Sequence, residues 1–145
     1  DYPGSGDNSL SDNLGGIPQF AVRTWSGFKN DTVNIELILN KIQPVKEIVF
    51  SFLQDEDAWI FLPKQINVLA YNNNSKKYIL FQQESPFNGK ATPGSACALI
   101  NVITEKNIKT DKLLVQLLTV DTIPEWHSAK GNHAWLFIDE IKVYR

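Results

Sequence analysis

"TVNIELILN", residues 32–40, places Val33, Ile35, Leu37 and Leu39 on one side of the chain by strict alternation. A period of two is the signature of a β-strand with one buried face; a helix would repeat its apolar residues every three or four positions. Working outward, "EIVFSFL" (47–53) repeats the pattern with Ile48, Phe50 and Phe52. "INVLAY" (66–71) runs into the turn signal "NNNSKK" and out again as "YILFQQ" (78–83), which predicts a hairpin. "CALINVIT" (97–104) and "KLLVQLLTV" (112–120) are apolar enough to predict strands buried on both faces. "AWLFIDEIKVY" (134–144) predicts the last strand. No segment has the periodicity of a long amphipathic helix. About seven or eight strands joined by turns predict an all-β antiparallel sandwich, and a jelly-roll order fits them.

The chain has 145 residues, enough for one domain with a core of its own. Hydrophobic residues make up 43% and charged residues 21%, an ordinary globular balance. The formal net charge is −2 and there is no basic block, so nucleic acid is not an expected partner. No apolar run approaches the length of a membrane span, so membrane insertion is not expected either. Cys97 is the single cysteine and excludes an internal disulfide. The chain starts at Asp1 and contains no methionine, which suggests a processed chain or a piece of a longer polypeptide. Residues 1–9 read as a linker or leading loop, and 10–145 as one domain. Two glycosylation sequons, Asn30-Asp31-Thr32 and Asn73-Asn74-Ser75, matter only in a secreted eukaryotic protein.

The closing stretch "WHSAKGNHAWLFIDEIKVYR" (126–145) concentrates the chemistry-bearing residues. Asp139 and Glu140 look like a carboxylate pair. On a regular strand, however, neighbours point to opposite faces. Asp139 would then share its side with Trp135, Phe137, Ile141 and Val143, and Glu140 with Leu136, Ile138 and Lys142. Such a pair cannot flank one glycosidic bond. His127 and His133 are too far apart in sequence for a common zinc pair and lack a cysteine cluster. No HExxH motif, GxSxG elbow, phosphate-cradling glycine loop or dinucleotide fingerprint occurs. An independent enzyme is therefore the least favoured reading.

Four tryptophans remain: Trp25, Trp59, Trp126 and Trp135. Trp135 lies in a strand pattern and reads as core; Trp25 and Trp59 read as plugs at the ends of the sandwich. Trp126 lies in a loop, where an indole can offer its face to a sugar ring. Covering about 100 Å² of apolar sugar surface contributes about 2.5 kcal/mol. Two or three hydrogen bonds at about 1 kcal/mol each raise the gross gain to about 5 kcal/mol. Ordering costs reduce it, leaving millimolar to high-micromolar affinity. Tethering makes such weak contacts useful through effective concentration.

"TWSGF", "FLQDEDAWIFLPKQINV" and "EWHSAKGNHAWLFIDEIKVY" together resemble the C-terminal discoidin-like domain of bacterial family 20 glycoside hydrolases, the β-N-acetylhexosaminidases or chitobiase-type enzymes. That domain belongs with the type C domains of coagulation factors V and VIII and the family 32 carbohydrate-binding modules. The resemblance runs from about Leu10 to Tyr144, and "AWLFIDEI" is its most specific part. It implies a discoidin-like jelly roll with ligand loops at one end and a non-catalytic role. It also implies a parent enzyme that is extracellular, periplasmic or at the cell surface. Calcium is the implied metal, with Asp12, Thr24 and Glu140 as its matching ligands. The sugar site implied is a loop aromatic with polar donors, for which Trp126, His127, Arg23, Trp59 and Asn132 are the candidates. Expected partners are a glycan, of N-acetylhexosamine or galactose type, and the parent catalytic domain. The alternative is a structural domain docked on its catalytic barrel through an apolar loop patch, with no sugar site of its own.

Overall fold

The computed structural model describes residues 2–3 and 25–145. Their backbone forms seven strands: β1 (Tyr2–Pro3), β2 (Ser26–Phe28), β3 (Thr32–Asp55), β4 (Gln65–Asn72), β5 (Lys77–Glu84), β6 (Ser95–Leu118) and β7 (Leu136–Tyr144). All pairings are antiparallel, in the order β1-β2-β7-β3-β6-β4-β5. The leading segment thus supplies a short strand, Tyr2 opposite Gly27 and Pro3 opposite Ser26. Among the described residues no helix is long and apolar enough to cross a membrane.

The two halves of the alternating pattern, 32–39 and 47–53, are one strand of 24 residues rather than two. β3 pairs with the equally long β6 along its whole length, with register shifts between Ile38 and Gln43 and between Val45 and Glu47. Extra residues on one strand of a ladder bend it and increase its twist. Pro44, which has no N–H to give a ladder, lies in that same segment. The ribbon therefore folds back on itself. Val33 and Phe50, from opposite halves of β3, meet in one buried cluster with Val68, Val115 and Ile138. The sandwich is one continuous sheet doubled over: β4 and β5 extend the layer containing Thr32–Ile38, while β7 and β2 extend the layer containing Glu47–Asp55.

Doubling over brings both ends of β3 to the same end of the molecule. The connections 29–31, 56–64, 85–94 and 119–135 gather there, and the ribbon corner and the β4–β5 turn occupy the other end. The predicted hairpin at 72–77 is present. Trp25 is fully buried with Leu53, Ile60 and Phe137, as an end plug should be. Gly27 is required there, because a Cβ would lie 2.8 Å from the Phe137 ring.

Two expectations fail. "CALINVIT" is not buried on both faces. Leu99 and Ile103 are 68% and 58% exposed, and Cys97 is exposed as well. Apolar composition alone could not tell this, because this half of β6 pairs with β3 but not with β4. The alternation in β7 also breaks. Ser51 pairs with Glu140 and Phe52 with Ile138, so Asp139 is an extra residue, a β-bulge. Leu136, Ile138, Ile141 and Val143 all pack on the main core, which contradicts the expected division of Asp139 and Glu140 between opposite faces. Glu140 instead lines a shallow depression with Ser51, Leu99 and Lys142 on the outside of the sheet. Asp139 is buried near Cys97, whose thiol is pushed up by burial first and by the Asp139 charge second. Both carboxylates are nonetheless buried, at 0% and 6% exposure, so no solvent-filled acid/base cleft results.

Candidate functional site

The loop end is built on a second buried cluster of Phe61, Val120, Ile123, Ala129 and Ala134. The loop 119–135 is closed by its own backbone: Ile123 N–H donates to the Asn132 carbonyl at 2.8 Å and Gly131 N–H to the Ile123 carbonyl at 3.0 Å. Gly131 has φ +81°, a left-handed turn that glycine adopts without Cβ strain. Ala134 N–H then donates to Val120, closing the neck of the loop before β7 begins.

Trp126 is 44% exposed at the tip of this loop. Its indole Nε1–H donates to the Gly89 carbonyl at 2.9 Å, on the neighbouring 85–94 loop. Its ring leans on Phe61, centroids 6.2 Å apart. Phe61 in turn meets Phe87 edge-on at 5.6 Å. The indole therefore has its only hydrogen-bond donor satisfied while much of the ring faces solvent.

His127 has a different position. Its Nδ1 accepts the Ala129 N–H at 2.9 Å, so its Nε2 carries the hydrogen and donates to the Glu56 carbonyl at 2.8 Å. Both ring nitrogens are committed to backbone, which makes His127 a clamp between two loops. Glu56 continues the clamp: it sits in a short 3₁₀ turn (Glu56–Ala58), is buried, and accepts Thr92 N–H at 2.9 Å. Asn132 is exposed and donates through Nδ2 to the Ala129 carbonyl at 2.9 Å, leaving its carboxamide oxygen at the surface.

Trp59 follows the 3₁₀ turn in a left-handed conformation, φ 65°. A bulky side chain there costs about 1–2 kcal/mol. Two backbone bonds hold it: Trp59 N–H to the Glu56 carbonyl at 2.9 Å and Trp135 N–H to the Trp59 carbonyl at 2.7 Å. Lys29 Nζ lies 5.8 Å from the Trp59 ring and 5.6 Å from Trp135, within cation–π range of both. His133 helps close the same end, with Nδ1 donating to the Ala134 carbonyl at 2.8 Å and Nε2 2.9 Å from the Asp31 carboxylate.

The structure thus gathers Trp126, His127 and Asn132 on one loop, with Trp59 packed against the same cluster. Arg23, Asp12 and Thr24 lie outside the described residues. Glu140 is buried on the sheet, away from the Trp126 loop. Among the described residues, no group of three His, Cys, Asp or Glu is arranged to hold a metal ion. Sequence reasoning missed Lys29, Phe61 and Gly89. Gly89 was the most legible of them, since Asn88-Gly89 is a turn signal, and φ +79° confirms the need for glycine. The arrangement suits stacking and hydrogen bonding; it has no nucleophile held by a base.

No family model matches the sequence. No curated protein matches it either. Several solved structures are similar. The family 32 carbohydrate-binding module of EndoD from Streptococcus pneumoniae has a TM-score of 0.64 at 11% identity, over 98% of this chain and 86% of that one. GH31 CBM32-2, bound to GalNAc, has a TM-score of 0.60 at 14% identity, over 100% of this chain and 93% of that one. The family 32 module of NanJ from C. perfringens, in complex with galactose, has a TM-score of 0.53 at 13% identity, over 81% of this chain and 71% of that one. At these identities the likeness is one of fold: the chain has the antiparallel, discoidin-like β-sandwich of the family 32 carbohydrate-binding modules.

Proposed function

We propose that this chain is a non-catalytic carbohydrate-binding or accessory module of a secreted glycoside hydrolase, with a parent of the β-N-acetylhexosaminidase type. The carrying observation is Trp126, 44% exposed with its indole N–H already paired. A sugar can cover that ring without stranding a buried donor. Asn132, on the same loop, and Trp59, packed on the same Phe61 cluster, are the proposed polar and aromatic partners, with Arg23 proposed as a further donor. His127 holds the loop rather than the ligand. Galactose and GalNAc, named with two of the similar modules, are the first sugars to test.

Calorimetric titration of the chain with those sugars and with N-acetylglucosamine tests the proposal. Binding in the millimolar to high-micromolar range is expected. Trp126→Ala should weaken it by the roughly 2.5 kcal/mol of ring burial, about 70-fold, below detection. Binding untouched by that substitution would remove the indole from the site, and the absence of binding to any glycan would remove the sugar reading.

A second reading, a domain docked on its catalytic barrel, is favoured by the exposed Leu99, Ile103 and Tyr144 on the outer sheet face. A tight complex with the barrel and no glycan affinity would establish it. We also propose calcium at Glu140 with Asp12 and Thr24. Glu140 is a buried carboxylate, and a carboxylate oxygen is a ligand type that calcium takes. Calcium at about 100 times its Kd would then raise the melting temperature by about 8 °C, reversed by chelator. An unchanged melt in both directions would exclude it.

A further inference from the structure

At the end of the sandwich opposite the Trp126 loop, a cavity of about 390 Å³ opens between the ribbon corner and the β4–β5 hairpin. That volume falls within the range of small-molecule sites. Its composition is distinctive. Four carboxamides line it, Asn72, Asn73 and Asn74 from the turn and Asn107 from the corner of β6. No acidic side chain does, and Lys109 supplies the one charge. The floor is apolar, with Phe81 and Ala70 buried at 6% and 7% exposure. The walls are apolar too, yet open: Ile42 and Ile79 are 57% and 49% exposed. Two exposed β-branched side chains lining one amide-rich space offer an apolar surface that a ligand with an apolar face can cover.

The cavity is held in shape from below. Thr110 is fully buried, and its Oγ1 donates to the Tyr71 carbonyl at 3.0 Å while accepting Lys112 N–H at 3.1 Å. This fastens β4 to the bend in β6. The turn is preset as well: Asn72 Oδ1 accepts both Asn74 N–H, at 2.9 Å, and Ser75 N–H, at 3.1 Å. That leaves its Nδ2 as a donor. A carboxamide presents donor and acceptor side by side, the match for a hydroxyl, which also does both.

We propose that this cavity is a second glycan subsite that takes a neutral hexose or N-acetylhexosamine unit. The apolar ring face would lie against Ile79 and Ile42, and the hydroxyls would bond to the carboxamides of Asn72, Asn73 and Asn107. The carboxamides, rather than Lys109, set the class as neutral. This goes beyond the Trp126 reading, because the two sites occupy opposite ends of the fold and stand or fall separately. With both present, one module bridges two glycan segments, and avidity exceeds either weak site.

The test follows the side-chain NH₂ resonances of the asparagines in ¹⁵N-labelled protein. The probes are methyl β-galactoside, GalNAc, N-acetylglucosamine and glucuronate. Saturable shifts of the Asn72, Asn73 and Asn107 signals are expected with at least one neutral sugar. They should persist in Trp126→Ala and weaken about five- to tenfold in Asn107→Ala and in Ile79→Ser, both at exposed positions that leave the fold intact. Shifts only with glucuronate would overturn the neutral class. Shifts lost in Trp126→Ala would trace them to the other end and overturn the second site. No asparagine shift with any probe would overturn the proposal outright.

Discussion

Replacing His127 with phenylalanine separates a clamp from a ligand donor. The phenyl ring keeps the packing of the imidazole against Phe61, 5.7 Å between centroids, and against Trp126, 5.8 Å. It removes the bonds to Ala129 N–H and to the Glu56 carbonyl. Two hydrogen bonds at about 1 kcal/mol each are lost, and two partly buried backbone groups are left without partners, for a total of about 2–4 kcal/mol. Against a typical stability of about 5–15 kcal/mol that is a large fraction. At about 3 °C per kcal/mol for a chain of this size, the melting temperature should fall by about 6–12 °C. Thermal unfolding followed by near-ultraviolet circular dichroism measures it, and hydrogen exchange at the Ala129 amide shows whether the loop has opened. A melting temperature within about 2 °C of the parent, together with lost sugar affinity, would refute the clamp and restore His127 as a sugar donor.

Gly27→Ala drives a methyl into the buried Phe137 ring, 2.8 Å from its Cζ. Overpacking of this kind costs about 1–3 kcal/mol, and Phe137→Leu in the same chain should recover part of it in urea unfolding. The Tyr78 phenol is pushed up to about 12, chiefly by burial and then by its 2.8 Å bond to Glu36. A raised value means that the folded protein holds this proton more tightly. The stability it contributes is complete below the ordinary value of 10.0 and is lost as pH rises through about 12. Spectrophotometric titration should show a late-ionising tyrosine that moves earlier in Glu36→Gln; no change on that substitution would remove Glu36 from the causes.

The amino-acid sequence by itself marked the strand-forming stretches of β3 to β7, the antiparallel class and the hairpin at 72–77, but neither β1 nor β2. Alternating apolar residues and a run of turn-forming asparagines are local signals, and here they hold except where pairing with a neighbouring strand inserts a bulge. It also marked Trp126 as a loop residue and Trp25 as a plug. Only the tertiary structure decided that 32–39 and 47–53 are one bent ribbon, because a bend comes from register shifts against β6 and not from either segment alone. The same holds for Asp139. Its bulge exists because Ser51 and Phe52 of β3 face three residues of β7, so a period of two read along one strand could not see the break. His127 carried no mark of its clamp either, since Glu56 is far from it in sequence and supplies a carbonyl that every residue possesses. Backbone partners leave no trace in residue identity; they are set by which loops the doubled sheet brings to the same end.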